Sequence, residues 1–170
     1  MKKLILVACA VMGAVAAQAQ ILLNVDITNP NAATITATDG LAAISSSGLN
    51  YRIQLNGFFA TTFTPVTAHI DTTGDLRPTI PGLDYDRISP INSATYLRVF
   101  HGFAGSTQNF VAGQRAFSGV ETADVTSISP FLRTSNFVGN IEIVNNFGVP
   151  TGQILGQYSL TAVPEPATMA

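Results

Sequence analysis

The sequence predicts an all-β protein that folds as a two-sheet antiparallel β-sandwich or jelly roll of roughly nine or ten strands. Composition is the first indication: the chain is rich in Thr, Ser and Asn, contains ten Phe, and is poor in the helix formers Lys, Glu and Met. The second indication is a series of short alternating segments separated by turn residues, without helical periodicity beyond residue 20. We therefore expect two packed sheets in preference to a barrel.

The predicted strands are short, and their boundaries are marked by Gly, Pro, Asn and Asp. Turns are expected at Asn29-Pro30 and at Asp39-Gly40, and residues 45–48 are expected to form a flexible loop. In chain order the strands are residues 20–28, 34–38, 51–56, 61–70, 95–103, 110–117, 120–128, 131–138, 140–145 and 153–163, and residues 41–44 are a candidate hairpin partner of 34–38.

Three of these segments differ in character. Residues 51–56 alternate most clearly, with Arg52 on the outward face. Residues 61–70 are interrupted by Pro65, which favours an edge strand. Residues 95–103 carry bulky side chains on both faces, with Arg98 and Phe100 on one of them, as expected for a central strand of a sandwich.

Between two of the predicted strands, residues 71–90 lose all periodicity. A stretch of this length is either a functional loop or a long connection between two sheets.

The first 19 residues have the pattern of a secretory signal peptide. Two lysines precede an apolar run that is too short for a membrane span, and Ala17 and Ala19 form a small-x-small site with cleavage before Gln20. The alternative is a lipoprotein signal that ends at Cys9. Residues 20–163 then form a single domain without cysteine, so disulfides cannot stabilise it.

Removal of the leader leaves an acidic protein. Six arginines face ten carboxylates, which corresponds to a net charge of −4. The basic footprint of a nucleic-acid-binding domain is absent, so we expect no nucleic-acid partner.

Residues 164–170 follow the last predicted strand and cannot extend it, because Pro164 and Pro166 have no N–H to donate. Val163-Pro164-Glu165-Pro166, at the end of a chain that carries a signal peptide, resembles the start of the PEP-CTERM sorting signal of exported bacterial proteins.

In that family the motif is followed by an apolar membrane span and an arginine-rich end, and an exosortase reads and cuts the signal. Neither segment lies before Ala170, so contact with the membrane is expected only through a span that this sequence lacks. The resemblance implies an exosortase-like partner, a destination at the bacterial cell surface or in the extracellular matrix, and association with exopolysaccharide.

The irregular segment 71–90 contains candidate metal ligands. Asp71, Asp75, Asp84 and Asp86 offer the oxygen ligands that Ca²⁺ prefers, but they lack EF-hand spacing and also suit ordinary turns. Calcium is therefore a possible cofactor, and the sequence implies no other. The histidines, His69 and His101, lie outside any zinc-type cluster.

Three functions are compatible with these residues. The first is a non-enzymatic structural or adhesive protein. The second is a glycan-binding module, with or without a calcium ion, in which Tyr85 and Arg87 contact the sugar. The third is a secreted hydrolase that uses dispersed acids such as Glu121 and Glu142. We expect the first, with no catalytic residues.

Overall fold

The computed structural model describes residues 19–62, 64, 69–80, 82–91, 93–102, 105 and 107–162. These residues form strands joined by short turns, with two 3₁₀ helices, Pro30–Ala32 and Thr126–Phe131. The strands are β1 Ile21–Asp26, β2 Ala33–Ala37, β3 Ser46–Leu49, β4 Arg52–Leu55, β5 Ile70–Gly74, β6 Arg77–Pro78, β7 Arg87–Pro90, β8 Leu97–Phe100, β9 Thr107–Phe110, β10 Phe117–Ser118, β11 Val120–Ala123, β12 Phe137–Val144 and β13 Pro150–Thr161.

The all-β class is confirmed, but the predicted two-sheet antiparallel sandwich is wrong. Nine strands close into one mixed barrel in the order β1-β13-β12-β4-β8-β7-β5-β11-β2, and β2 returns to β1. The pairs β6–β10 and β3–β9 form two small separate sheets. The domain predicted as residues 20–163 is therefore a closed barrel.

The barrel is mixed because its first and last strands run parallel. Ile21 pairs with Gln157 and Asp26 with Thr161, whereas every other neighbouring pair in the barrel is antiparallel. The alternating pattern could not distinguish the two folds, since a sandwich and a barrel both turn alternate residues inward. Closure depends on which distant strands pair, and that information is absent from a local pattern.

Several predicted boundaries also change. Residues 45–48, predicted as a flexible loop, lie mostly in β3, which pairs with β9. The segments 131–138 and 140–145 were predicted as two strands separated by Gly139. They are instead a 3₁₀ turn and bend followed by the single strand β12, and Gly139 lies inside that strand.

Gly139 is required for packing at this position and does not form a turn. A Cβ there would lie 2.4 Å from the carbonyl oxygen of Asn56 and 2.5 Å from the ring of Tyr158.

The irregular segment 71–90 contains β6, β7 and most of β5. β5 and β7 are neighbouring strands of the barrel, and β6 pairs with β10 outside it. β5 and β6 are short and polar, so they show no alternation of apolar and polar residues in the sequence. They form strands because pairing with neighbouring strands compensates for their low intrinsic strand propensity. Part of the predicted strand 61–70 lies outside the described residues.

The interior of the barrel is a packed apolar core. Leu23, Val25 and Ile27, at alternate positions of the predicted strand 20–28, are all buried. The remaining space between side chains such as Ile35, Phe58 and Val125 is about 10 Å³, which is roughly the room one water needs. An internal ligand does not fit in this cavity. Among the described residues, no helix is long and apolar enough to cross a membrane.

The parallel pair β1–β13 also separates the two ends of the domain. The chain enters the barrel at Ile21, at what we call the leader end, and leaves at Thr161, at the opposite or tail end. The hairpin β12–β13 extends beyond β1 at the leader end, because β13 begins at Pro150 and meets β1 only at Gln157.

Substitution of Gly156 by Ala tests the seam between β1 and β13. The new Cβ would lie 2.5 Å from Cδ1 of Leu22, which is fully buried and has no room to move. We expect Gly156→Ala to lower the free energy of unfolding by about 1–3 kcal/mol in urea denaturation. The exposed Gln153→Ala on the same strand is the control, and equal losses in the two variants would contradict a tight seam.

Candidate functional site

The four predicted calcium ligands do not converge. The carboxylate of Asp71 lies 3.3 Å from Nε of Arg87, and that of Asp84 lies 3.3 Å from Nη1 of Arg77. In the ranges that the structure describes, no group of three or more His, Cys, Asp or Glu side chains is arranged to hold a metal.

Asp75 and Asp86 serve as local hydrogen-bond acceptors. Oδ1 of Asp75 accepts from the N–H of Val120 at 2.9 Å, and Oδ1 of Asp86 accepts from the N–H of Gly102 at 2.6 Å. Each carboxylate thus stabilises a connection between chain segments, which matches the turn chemistry that the sequence also allowed.

The two predicted glycan contacts, Tyr85 and Arg87, lie in different environments. Tyr85 is only 1% exposed, and its ring packs with Phe117 at a centroid distance of 6.4 Å. Its ring is therefore part of the core and offers no surface to a sugar. Burial raises the pKa of the Tyr85 hydroxyl well above its ordinary value. Arg87 remains near the surface, paired with Asp71.

His101 is tied to the backbone. Its Nδ1 lies 2.8 Å from the carbonyl oxygen of Asp84 and 3.5 Å from Oδ2 of Asp86. Because a carbonyl oxygen can only accept, we assign the proton to Nδ1. His69 lies 3.7 Å from Asp71 in an exposed position. Both histidines therefore have structural partners.

Glu121 is the one buried carboxyl group among the described residues, at 1% exposure. It extends into the barrel from β11, and neither of its oxygens forms a hydrogen bond within 3.5 Å. Burial raises its pKa, and the negative charges of Asp84 and Asp75 raise it further; the nearby Thr72 hydroxyl and Leu76 N–H partly oppose this effect.

The structure describes only some residues of the two predicted processing sites. Ala17 and the motif Val163-Pro164-Glu165-Pro166 lie outside the described residues. Ala19 and Gln20 are described, and Gln20 is already bound to the barrel. Its Oε1 accepts from the N–H of Leu41 at 2.6 Å, and its carbonyl accepts from the N–H of Gln157 at 2.9 Å.

The strongest surface feature was not predicted as a site. Arg52 on β4 and Arg98 on β8 extend outward from neighbouring strands. Arg98 is paired with Gln54, which lies two residues after Arg52 and therefore on the same face of β4. The guanidinium of Arg52 lies over the ring of Phe100 at 4.8 Å, and that of Arg98 lies 5.4 Å from the ring of Tyr96. Each cation is thus held against an aromatic ring.

The tip of the β12–β13 hairpin borders these residues. Nη2 of Arg98 donates to the carbonyl oxygen of Gly148 at 2.6 Å. The tip itself is fixed by Asn145, whose Oδ1 accepts from the N–H groups of Phe147 and Val149. Phe147 is 84% exposed on this rigid turn. We call the set Arg52, Tyr96, Arg98, Phe100 and Phe147 the basic–aromatic face.

The positive charge of this face is not neutralised. Within the described part of the chain, neither Arg52 nor Arg98 forms an ion pair, whereas Arg77, Arg87 and Arg115 each pair with an aspartate. Partial burial lowers the pKa of Arg52, and the like charge of Arg98 lowers it further. An anion bound between the two would relieve this repulsion.

A shallow apolar groove of about 430 Å³ lies elsewhere on the surface, lined by residues 45–47 of the β3 region, Ile80, and residues 109–111. It carries no charged side chain, so its chemistry does not select a ligand class.

The sequence contained both halves of the basic–aromatic face without showing that they meet. Arg52 was predicted to point outward, and Arg98 and Phe100 were predicted to share a face. What was missing was the pairing of β4 with β8, two strands that the long segment 56–96 separates. The exposed Phe147 in the turn-like sequence Asn-Asn-Phe-Gly was an available signal.

Comparison of the chain with protein-family models, with curated proteins and with solved structures finds no match.

The two buried tyrosines provide a matched stability test. The Tyr158 hydroxyl donates to the carbonyl oxygen of Asn56 at 2.9 Å, whereas the Tyr85 hydroxyl is buried without a partner. We expect Tyr158→Phe to lower the free energy of unfolding by about 1 kcal/mol and Tyr85→Phe to leave it unchanged or raise it. Urea denaturation of both variants checks this, and the reverse ranking would contradict the assigned hydrogen bonding.

Glu121 predicts a pH-dependent stability. Its pKa is higher in the folded protein than the unfolded value of about 4.3, so the folded state binds the proton more tightly. This stabilisation is full below pH about 4 and is lost as the pH rises through the folded pKa. In urea denaturation, the wild type should lose stability relative to Glu121→Gln as the pH rises. A difference that does not vary with pH would contradict the buried-acid assignment.

Proposed function

We propose that this chain is an exported, non-enzymatic protein of the bacterial cell surface or extracellular matrix, sorted by an exosortase-type system and structural or adhesive in role. The signal peptide pattern and the resemblance of Val163-Pro164-Glu165-Pro166 to the PEP-CTERM motif motivate the proposal.

The position of the barrel within the chain is the observation that carries it. Gln20, the residue after the predicted cleavage site, is hydrogen-bonded to the barrel. At the other end of the described residues, the N–H of Ala162 donates to Oδ1 of Asn136 at 3.1 Å. Cleavage before Gln20 or after Ala162 would therefore leave all the strands of the barrel in place.

The arrangement of the barrel ends supports a surface role. A tail that starts after Thr161 leaves from the tail end, whereas the β12–β13 hairpin and the basic–aromatic face lie toward the leader end. If the tail is the attachment point, that face is directed away from the membrane.

The acids suggested for a hydrolase are poorly suited to catalysis. Glu121 is buried in the barrel wall. The two oxygens of Glu142 accept from Nδ2 of Asn56 and the N–H of Gly152, both at 3.0 Å. Burial keeps Glu121 away from a substrate, and the oxygens of Glu142 already accept hydrogen bonds from the protein. These positions favour the non-enzymatic role over hydrolysis.

Export and processing test the proposal. When the protein is expressed from its own gene in an exosortase-containing bacterium, we expect the exported form to begin at Gln20. Ala19→Arg should retain the leader because the cleavage site requires a small residue, whereas Gln18→Arg should be processed normally. Mass spectrometry of the N-terminal peptide measures both outcomes.

The tail is tested in the same strain. A variant with Pro164→Ala and Glu165→Ala should be exported but lost from the surface fraction. Normal surface retention of this variant, or a wild-type protein found only in the cytoplasm, would contradict the proposed sorting.

A further inference from the structure

We infer that the basic–aromatic face binds a carboxylate-bearing polysaccharide, with Arg52 and Arg98 contacting the acid groups and the surrounding rings contacting the sugar. The inference deepens the proposed function by naming a ligand class and a surface, and it rests on that function only for where in the cell the binding occurs.

The charge of the face selects an anion. Arg52 and Arg98 lie on adjacent strands and lack carboxylate partners within the described residues. An anionic ligand would therefore not have to displace a carboxylate of the protein from either side chain. Guanidinium groups bind carboxylates through two parallel hydrogen bonds, which gives directionality as well as strength.

The hydrogen bonds of Arg98 prepare it for this role. Nη2 is already engaged with the carbonyl oxygen of Gly148 and, at 3.4 Å, with the hydroxyl of Tyr96. These contacts hold the guanidinium in one orientation, so less side-chain entropy is lost when a ligand binds. Its Nε is buried, so a ligand reaches this side chain only at the guanidinium end.

The aromatic residues select a sugar as the carrier of the acid. Phe147 extends from the hairpin tip with 84% of its surface exposed, and it is the ring open to a sugar, whereas Phe100 and Tyr96 hold the guanidinium groups of Arg52 and Arg98 beside it. Rings at a surface contact the apolar C–H face of a sugar while neighbouring polar groups fix its orientation. A small free anion would leave Phe147 unused.

The overall charge does not select among polyanions. In residues 20–163, six arginines face nine carboxylates, which gives a net charge of −3, so acidic polysaccharides, nucleic acids and anionic membranes all experience net repulsion at neutral pH. Asp71, which pairs with Arg87 on the neighbouring strand β7, adds negative charge at the border of the face. Binding therefore depends on short-range contacts at the face itself, and DNA and phosphatidylglycerol vesicles are competing outcomes of the test.

The test is a binding titration of the purified residues 20–163 with polygalacturonate, a uronic acid polymer, at low salt. Residues 20–162 include the complete barrel with all its strands, so this form retains the folded domain. We expect saturable binding in calorimetry that weakens as the salt concentration rises, and no binding of neutral dextran.

Variants assign the binding to the face. Arg52→Gln should weaken the affinity about tenfold, Arg52→Lys by less, and Arg52→Gln with Arg98→Gln should abolish measurable binding. Arg77→Gln removes the same charge from an exposed position that is paired with Asp84, and it should bind like the wild type. Phe147→Ala should weaken binding without changing its dependence on salt.

The variants also separate specific contact from loss of folding or general attraction. Thermal unfolding identifies any variant that does not fold, and Arg52→Gln, which leaves the contact between Arg98 and Gly148 in place, still decides the question if the double variant unfolds. Equal weakening by Arg77→Gln, binding of dextran, or tighter binding to DNA or to phosphatidylglycerol vesicles would overturn the inference. Failure of export with intact binding would refute the proposed function alone.

Discussion

The parallel pairing of β1 with β13 is the constraint on which the structure depends. It joins the two ends of the domain in the sequence, and without it the other eight neighbour pairs would form an open sheet with two exposed edges. Because it closes the longest loop in the chain, its ordering entropy is large and must be offset by the burial of Leu22, Leu23 and Leu160 at the seam. Closure leaves an interior filled with side chains, so specific chemistry is confined to the outside.

The arginines on the surface of the barrel differ in whether a carboxylate lies beside them. Three of the six described arginines pair with an aspartate, as with Arg115 and Asp39 at 3.3 Å, and such exposed pairs contribute little to stability. Arg133 has no such pair among the described residues, but it lies alone over the ring of Phe137. Arg52 and Arg98 depart from this pattern at a place where aromatic rings and a rigid hairpin also meet. Uncompensated charge is destabilising in the free protein, and this cost is a reason to look for a ligand there.

The local sequence predicted the residue types and strand faces of the candidate sites, but not which of these residues lie close together or are buried. The acidic segment 71–87 contains possible metal ligands by composition, but a metal site depends on convergence, and the chain directs Asp75 and Asp86 to separate backbone donors. Tyr85 reads as a loop residue between two aspartates, yet the barrel buries it against Phe117. Conversely, strand alternation predicted the outward position of Arg52 and the shared face of Arg98 and Phe100. The proximity of Arg52 and Arg98 required the pairing of β4 with β8.

The sequence by itself determined the all-β class and the alternation of buried and exposed side chains over residues 23–26 of β1, because period-two alternation is a local property. Only the tertiary structure decided that the sheet closes into a mixed barrel, that β3 is a strand, and that Gly139 lies within one. These outcomes depend on contacts between segments far apart in the chain, such as Ile21 with Gln157. No local pattern encodes such a pairing, since the same alternation satisfies several of them equally well.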